Sequence, residues 1–105
     1  MTGNPVEFHP EALAEAEAAA AWYRERSLRV AELFLDELEK AIGVVTEAPN
    51  RWPRYDAPSL AGCRKYPLHR FPFFLIYREA GGTIQVLAVA HGRRRPGYWR
   101  TRRTG

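Results

Sequence analysis

Residues 4–42 contain no glycine, and this uninterrupted stretch constrains the fold more than any other feature of the sequence. Its first part, residues 11–26, is dominated by alanine and glutamate, which favour helices. It follows Pro10, which the first turn of a helix tolerates. Apolar residues recur there every three or four positions, so we expect a helix with one buried stripe. The members of this stripe are Leu13, Ala16, Ala20 and Tyr23.

A second helix is predicted over residues 28–48. Ser27 is its expected N-cap, because a serine side chain can accept a hydrogen bond from a free backbone N–H of the first turn. Hardly any linker separates the two helices, so they are expected to fold back on each other as an antiparallel hairpin. The apolar stripe of the second helix consists of Phe34, Leu38, Ala41 and Val45, widened by Leu35 and Ile42.

The rest of the chain has the pattern of strands. Residues 47–62 contain three prolines, which disfavour regular structure. The strand candidates are residues 6–8, 63–70, 71–79 and 83–90, with Gly81-Gly82 as a turn. The order β-α-α-β-β-β predicts a single α+β domain over residues 1–105. In it the helical hairpin packs on one face of a small, mostly antiparallel sheet. Residues 1–4 and 101–105 are expected to be flexible ends.

The composition indicates a small intracellular domain. With 105 residues, of which 46% are hydrophobic and 27% charged, the chain is long enough for one modest core. The single cysteine, Cys63, cannot form an internal disulfide and is expected to be a small buried hydrophobe. The three histidines are far apart in sequence, so neither a metal nor a cofactor is predicted. Without a secretory signal or an apolar run of the ~20 residues that a membrane span needs, a cytoplasmic location is expected.

Charge is divided unevenly along the chain. Residues 1–48 carry ten acidic and four basic residues, a net charge of −6, whereas residues 49–105 carry twelve basic and two acidic residues, a net charge of +10. A basic half of this size suggests an acidic or polyanionic partner. Fourteen of the sixteen bases are arginine, which suits bidentate phosphate contacts. A biased genomic composition explains the arginine content equally well.

The stretch VAHGRRRPGYW, residues 89–99, concentrates the residues that could carry chemistry. His91 is expected at the end of the last strand, with Arg93–Arg95 just beyond it and Tyr98 and Trp99 after a Pro-Gly turn. Aromatic rings among arginines suit nucleic acid, because rings stack on bases and guanidinium groups hold phosphates. Plainer interpretations remain open. The histidine then caps a strand, the arginines are a solvated charge run and the two aromatic residues pack the C-terminus onto the sheet.

The preceding hairpin offers more basic residues. Arg64 and Lys65 lie on the first strand after the proline-rich loop, and Arg70 follows it. If the open face of the sheet holds Arg64 and Lys65 near the end of the last strand, a basic concave surface results.

At this point the chain resembles the RelE/ParE superfamily, the toxic half of type II toxin–antitoxin modules, to which plasmid stabilization proteins belong. The resemblance covers roughly Val6 to Arg100. It rests on the order of the elements, on WPRYDAPSLAGCRKYPLHRFPFFLIYR and on the last strand with HGRRRPGYW. It implies a RelE/ParE-like fold and a protein that arrests growth when free of its antitoxin.

The superfamily holds two activities, and the resemblance implies site residues for each. The RelE-like branch cleaves messenger RNA on the ribosome without a metal, as an mRNA interferase, by attack of the RNA's own 2′-OH on the adjacent phosphate. By position, Arg64, Arg93 or Arg94, and Tyr98 match the catalytic set of that branch, and His91 is a further acid–base candidate. The residues that would bind nucleic acid or another target are Lys65, Arg70, Arg95, Trp99 and Arg100.

The ParE-like branch is similar in fold but poisons DNA gyrase by binding, with no cleavage residues of its own. The arginine–tyrosine set of this chain favours cleavage, whereas the absence of a dense lysine set favours gyrase inhibition. Under either activity the resemblance implies a cognate antitoxin with a partly disordered, acidic segment. The remaining alternatives are a non-catalytic basic nucleic-acid-binding domain and a degenerate member that is no longer toxic.

Overall fold

The two long helices begin at side-chain caps. The computed structural model describes residues 4–55 and 57–102. Helix α1 (Pro10–Arg24) begins where His9 Nδ1 accepts a hydrogen bond from the Glu11 N–H at 3.1 Å. Helix α2 (Leu28–Glu47) begins at Ser27, whose Oγ accepts from the Val30 N–H at 3.3 Å. The predicted N-cap and both helices are therefore confirmed.

The buried face of α1 is made of alanines. Ala12, Ala16, Ala19 and Ala20 are buried, and these small side chains let the helix approach the sheet closely. The prediction was wrong for two leucines of the stripes: Leu13 is 49% exposed and Leu35 is 43% exposed. Both line a surface groove between α1 and α2, because the buried stripe of each helix is narrower than its apolar pattern.

The four strands form one sheet in the order β1-β4-β3-β2. The strands are β1 (Val6–Phe8), β2 (Arg64–Pro67), β3 (Phe73–Ala80) and β4 (Thr83–His91). Strand β1 pairs with β4 in parallel, and the β2–β3 and β3–β4 pairs are antiparallel. Single 3-10 turns lie at Pro58–Leu60 and Arg100–Arg102. The predicted α+β order, with a mostly antiparallel sheet, is confirmed.

A bulge in β4 sets which side chains reach the helices at the end of that strand. Ile76 pairs with Ala88, but the next residue, Tyr77, pairs with Val86, so Leu87 is an extra residue. Leu87 and Ala88 both contribute to the core on the face away from the helices. Beyond the bulge, Val89 returns to the helix side of the sheet.

Both faces of the sheet are covered. The larger core packs the helices onto one face, with Phe34 and Val45 of α2 against Leu75 and Ile84 of the strands. A second core on the other face contains Leu60, Cys63, Ile76, Leu87 and Trp99. Cys63 is fully buried, as predicted. The proline-rich loop and the C-terminal residues therefore close the face that the sequence analysis expected to be open.

The chain termini are described only in part. Residues 1–3 and 103–105, which the sequence analysis expected to be flexible, lie outside the described residues. The Asn4 side chain donates a hydrogen bond to the Thr46 carbonyl at 3.3 Å, and residues 100–102 form a 3-10 turn. Among the described residues, no helix has the length and apolar character to cross a membrane.

Candidate functional site

His91 ends β4 and begins the turn that carries the arginines. Its Nδ1 accepts a hydrogen bond from the Arg93 N–H at 3.1 Å, and its carbonyl accepts from the Arg94 N–H at 2.9 Å. The imidazole packs edge-on against Phe73 with ring centroids 5.1 Å apart. With Nδ1 accepting, neutral His91 carries its proton on Nε2. The histidine thus shapes the turn in which Arg93, Arg94 and Arg95 are exposed.

Arg94 lies on the ring of Tyr98. The guanidinium carbon is 3.8 Å from the ring centroid, a stacked cation–π contact. The Tyr98 hydroxyl donates a hydrogen bond to Glu15 Oε2 at 2.8 Å. Tyr98 therefore acts as a platform that orients an exposed arginine.

Glu15 of α1 joins the C-terminal residues to the helix and to the edge of β4. Besides Tyr98, its carboxylate accepts the Val89 N–H at 2.9 Å and both terminal nitrogens of Arg102, at 3.0 and 3.1 Å. Arg102 Nη1 also donates to the Leu87 carbonyl at 3.1 Å. The side chains of Arg102 and Glu15 are only 13% and 17% exposed. The sequence did not single out Glu15 as a site residue. The region of α1 contains several glutamates, and no local sequence signal distinguishes Glu15 from the others.

The environment of Tyr98 keeps its hydroxyl protonated. Burial is the largest cause that raises the pKa of Tyr98, followed by its hydrogen bond to Glu15 and the negative charge of that carboxylate. The positive charges of Arg94 and Arg102 oppose this shift. At neutral pH the phenol is a hydrogen-bond donor to Glu15, which is the reverse of what a general base requires.

The Pro96-Gly97 turn separates the surface arginines from a buried tryptophan. Gly97 has φ of 91°, a backbone conformation that glycine adopts without the strain a side chain would bring. Trp99 is 2% exposed and packs against Tyr55 with ring centroids 5.4 Å apart. Trp99 was predicted to contact a target, but its side chain belongs to the second core. Arg100, for which the same prediction was made, is exposed, and its Nη1 donates to the Gly97 carbonyl at 3.3 Å.

Arg64 does not join the C-terminal arginines. Its Nη1 donates to the Trp52 carbonyl at 2.7 Å and to the Asn50 carbonyl at 3.3 Å. Arg64 pairs with Tyr77, whereas His91 pairs with Phe73, which precedes Tyr77 by four residues on β3. Four residues of strand span about 13 Å, and two further strand spacings of about 5 Å lie across the sheet. The concave surface expected from Arg64 and Lys65 is therefore not formed.

Lys65 and Arg70 have different surroundings. Lys65 Nζ lies 5.4 Å from the ring centroid of Tyr55 and 5.6 Å from that of Phe74, next to the second core. Arg70 is exposed in the β2–β3 turn with φ of 72°. That turn meets the end of β4, because the Gly92 N–H donates to the Pro72 carbonyl at 2.8 Å.

Four exposed arginines therefore gather at one end of the sheet, and we call them the basic edge. They are Arg70, Arg93, Arg94 and Arg95. None takes part in the ion pairs found within residues 4–55 and 57–102. Unpaired arginines at a common edge create a positive field for an acidic partner. In the same part of the chain, no group of three histidine, cysteine or acidic side chains is arranged to hold a metal ion.

An apolar groove of about 500 Å³ adjoins the basic edge. Ala18 and the half-exposed Trp22 of α1 form one wall, Phe73 and Val89 of the sheet form the other, and Arg94 lies at its rim. The arrangement combines an apolar depression with cations, which suits the recognition of a polypeptide with apolar and acidic side chains.

The fold is similar to that of a protein from a toxin–antitoxin system. Eight solved chains match it. One of them belongs to the chromosomal ParDE TA system from P. aeruginosa. It matches with a TM-score of 0.72 and 19% sequence identity, over 84% of this chain and 95% of that chain. At this level of identity the match defines the class of fold.

The family follows from the sequence match. The family described as the ParE toxin of type II toxin-antitoxin system, parDE, matches residues 6–96. The chain therefore belongs to the ParE toxin family, and the expected RelE/ParE relationship is confirmed. A comparison with curated proteins gives no match.

Proposed function

We propose that this type II toxin acts by binding DNA gyrase through its basic edge and not by cutting messenger RNA. The observation that carries the proposal is the state of the C-terminal arginines and of Tyr98. Arg94 is exposed and oriented on the Tyr98 ring, while the Tyr98 hydroxyl is engaged with Glu15. This arrangement supports a contact between Arg94 and the target protein. It does not support a catalytic role for Tyr98, whose hydroxyl is already hydrogen-bonded.

Cleavage would require groups that are not assembled here. Attack by a 2′-OH needs a base for its proton, an acid for the leaving oxygen and cations around the phosphate. Tyr98 is a protonated donor, and Arg64 is engaged with backbone carbonyls away from His91. Of the residues that the resemblance assigns to cleavage, His91 and Arg94 are the two found among the residues that line the apolar groove. The distance of Arg64 from the C-terminal members of the cleavage set, and the engagement of the Tyr98 hydroxyl, support a binding mode of action.

A cognate antitoxin is the second partner that we propose. The ParDE neighbour belongs to a toxin–antitoxin system by its description, and this chain offers an apolar groove beside unpaired arginines. An amphipathic antitoxin segment with acidic residues would bury its apolar side in the groove and neutralise the basic edge. Covering Arg94 in this way would keep the cytoplasmic toxin inactive until the antitoxin is removed.

The decisive experiment compares gyrase with RNA as targets of the purified toxin. Supercoiling by gyrase is measured against toxin concentration for the wild type, for Arg94→Ala and for Arg29→Ala, which removes an exposed arginine of α2. We expect Arg94→Ala to weaken inhibition on the order of tenfold, as for an arginine hot spot, and Arg29→Ala to match the wild type. Transcript cleavage on translating ribosomes is measured in parallel.

The two activities give opposite patterns. Inhibition of gyrase with intact transcripts supports the proposal. Cut transcripts with unaffected supercoiling, abolished by Arg94→Ala, would refute it in favour of the endoribonuclease.

A further inference from the structure

We propose that Glu15 is a positioning residue for the basic edge, because it fixes Tyr98 and Arg102 so that Arg94 is presented to the target. The expected effect on gyrase inhibition rests on the proposed function, whereas the expected effect on the stack of Arg94 and Tyr98 can be measured without any target. Glu15 itself lies on α1, outside the basic edge; it lines the same groove as Arg94 and holds the ring on which Arg94 stacks.

The carboxylate of Glu15 is a junction of three parts of the chain. It accepts from a β4 backbone N–H 74 residues away, from the Tyr98 hydroxyl 83 residues away and from Arg102 87 residues away. Hydrogen bonds to a charged group are about twice as strong as neutral ones. The Glu15 carboxylate therefore joins α1 to the end of β4 and to the C-terminal turn.

The position of the junction follows from the short β1 strand. Strand β1 pairs with β4 only as far as Val86, so within residues 4–55 and 57–102 no strand pairs with that side of β4 beyond Val86. Glu15 binds the N–H of Val89, and Arg102 binds the carbonyl of Leu87. The ion pair of Glu15 and Arg102 thus completes the edge of the sheet, and Tyr98 joins it.

The orientation of Arg94 depends on the ring below it. Arg94 lines the groove and stacks on the Tyr98 ring at 3.8 Å. The Tyr98 ring is held at its hydroxyl end by Glu15. The buried Trp99 anchors the backbone of the next residue independently. Loss of the carboxylate should therefore free the ring and the arginine while leaving the backbone in place.

The test uses the full-length toxin and the variants Glu15→Gln, Arg102→Gln and the double variant. Glu17→Gln, an exposed glutamate of the same helix, is the matched control. The ring-current shift of the Arg94 side-chain protons, measured by NMR, reports the stack without any target. Gyrase inhibition and growth arrest on induction report its consequence.

We expect Glu15→Gln and Arg102→Gln each to lose the ring-current shift and to weaken gyrase inhibition on the order of tenfold. The double variant should be no weaker than either single variant, because both changes break one unit. Glu17→Gln should behave as the wild type. A wild-type shift in Glu15→Gln, or wild-type inhibition despite a lost shift, overturns the inference.

Failure of the gyrase target is distinguishable from failure of this inference. If the wild type does not inhibit gyrase, the target is wrong. Loss of both the ring-current shift and growth arrest in Glu15→Gln then still supports positioning, and retention of either opposes it. If Glu15→Gln does not fold, Arg102→Gln decides the question on the same measurements, because Arg102 lies in the final turn.

Discussion

Two arginine–tyrosine pairs of this protein use the same side chains in different ways. In the first, Arg64 of β2 and Tyr77 of β3 are paired across the sheet and donate to main-chain carbonyls of the loop at residues 49–52. In the second, Tyr98 and Arg102 donate to a carboxylate of α1. The first pair therefore holds a loop, and the second holds the chain terminus.

The two pairs differ in whether an arginine charge remains available to a partner. Around Arg64 the guanidinium is engaged by the loop carbonyls, so the charge serves the fold. Around Tyr98, Glu15 is matched by Arg102, and the additional arginine, Arg94, stacks on the ring and stays exposed. An arginine beside a tyrosine is thus a functional candidate only where its charge is left for a partner.

The strongest test of this comparison is Arg64→Ala. We expect it to lower the free energy of unfolding by about 2 kcal/mol, because a charged donor is lost and loop carbonyls are left unpaired. Inhibition of gyrase by the folded fraction should be unchanged. Urea denaturation gives the first quantity, and supercoiling assays below the unfolding transition give the second.

Arg54→Ala is the control for this substitution, because Arg54 is exposed and lies opposite Arg64. A change of a few tenths of a kcal/mol is expected for it, as for most surface positions. If Arg64→Ala abolishes activity while its stability equals that of Arg54→Ala, the two pairs share a function and the comparison fails.

Tyr77→Phe has a smaller expected effect. The Tyr77 hydroxyl donates to the Pro49 carbonyl at 2.8 Å, within the loop that Arg64 also holds. Removing it should cost about 1 kcal/mol, the usual net value of a neutral hydrogen bond. Thermal or urea unfolding measures the loss. Tyr66→Phe on β2, where the ring is half-buried, is the matched control, and an equal loss there would contradict the assignment.

The elements of this fold are predictable from the sequence because their signals are local. Helix periodicity, the Ser27 cap and the Gly81-Gly82 turn each depend on neighbouring residues, and the structure has all three. The exposure of Leu13 and Leu35 depends on how α1 and α2 pack, and an apolar pattern does not contain that information.

The candidate site is only partly predictable, for a related reason. Arg94 and Tyr98 are close in sequence, and their stack occurs within one turn. The distance of Arg64 from His91 is set by strand register and by the bulge at Leu87. The role of Glu15 depends on partners 74 to 87 residues away. One-dimensional patterns do not report contacts at such separations.

The smallest expected effect is a loss of stability at alkaline pH. Burial raises the pKa of Tyr77 from 10.0 to about 12, partly opposed by the charge of Arg64, and the pKa of Tyr98 is raised by burial and by Glu15. The unfolded chain loses these protons near pH 10, where the folded protein keeps them. Stability is therefore full below pH 10 and falls as the pH rises through the folded values.

This dependence separates the two pairs. Tyr77→Phe and Tyr98→Phe should each flatten the fall in the free energy of unfolding, measured in urea between pH 8 and pH 11 in steps of about half a unit. Glu15→Gln should leave the slope in this range close to that of the wild type, because burial, the largest cause of the raised pKa of Tyr98, is retained. A flatter slope in Glu15→Gln would mean that the carboxylate, and not burial, keeps the Tyr98 hydroxyl protonated. With an unchanged slope, the carboxylate matters for the position of the Tyr98 ring and not for its charge state.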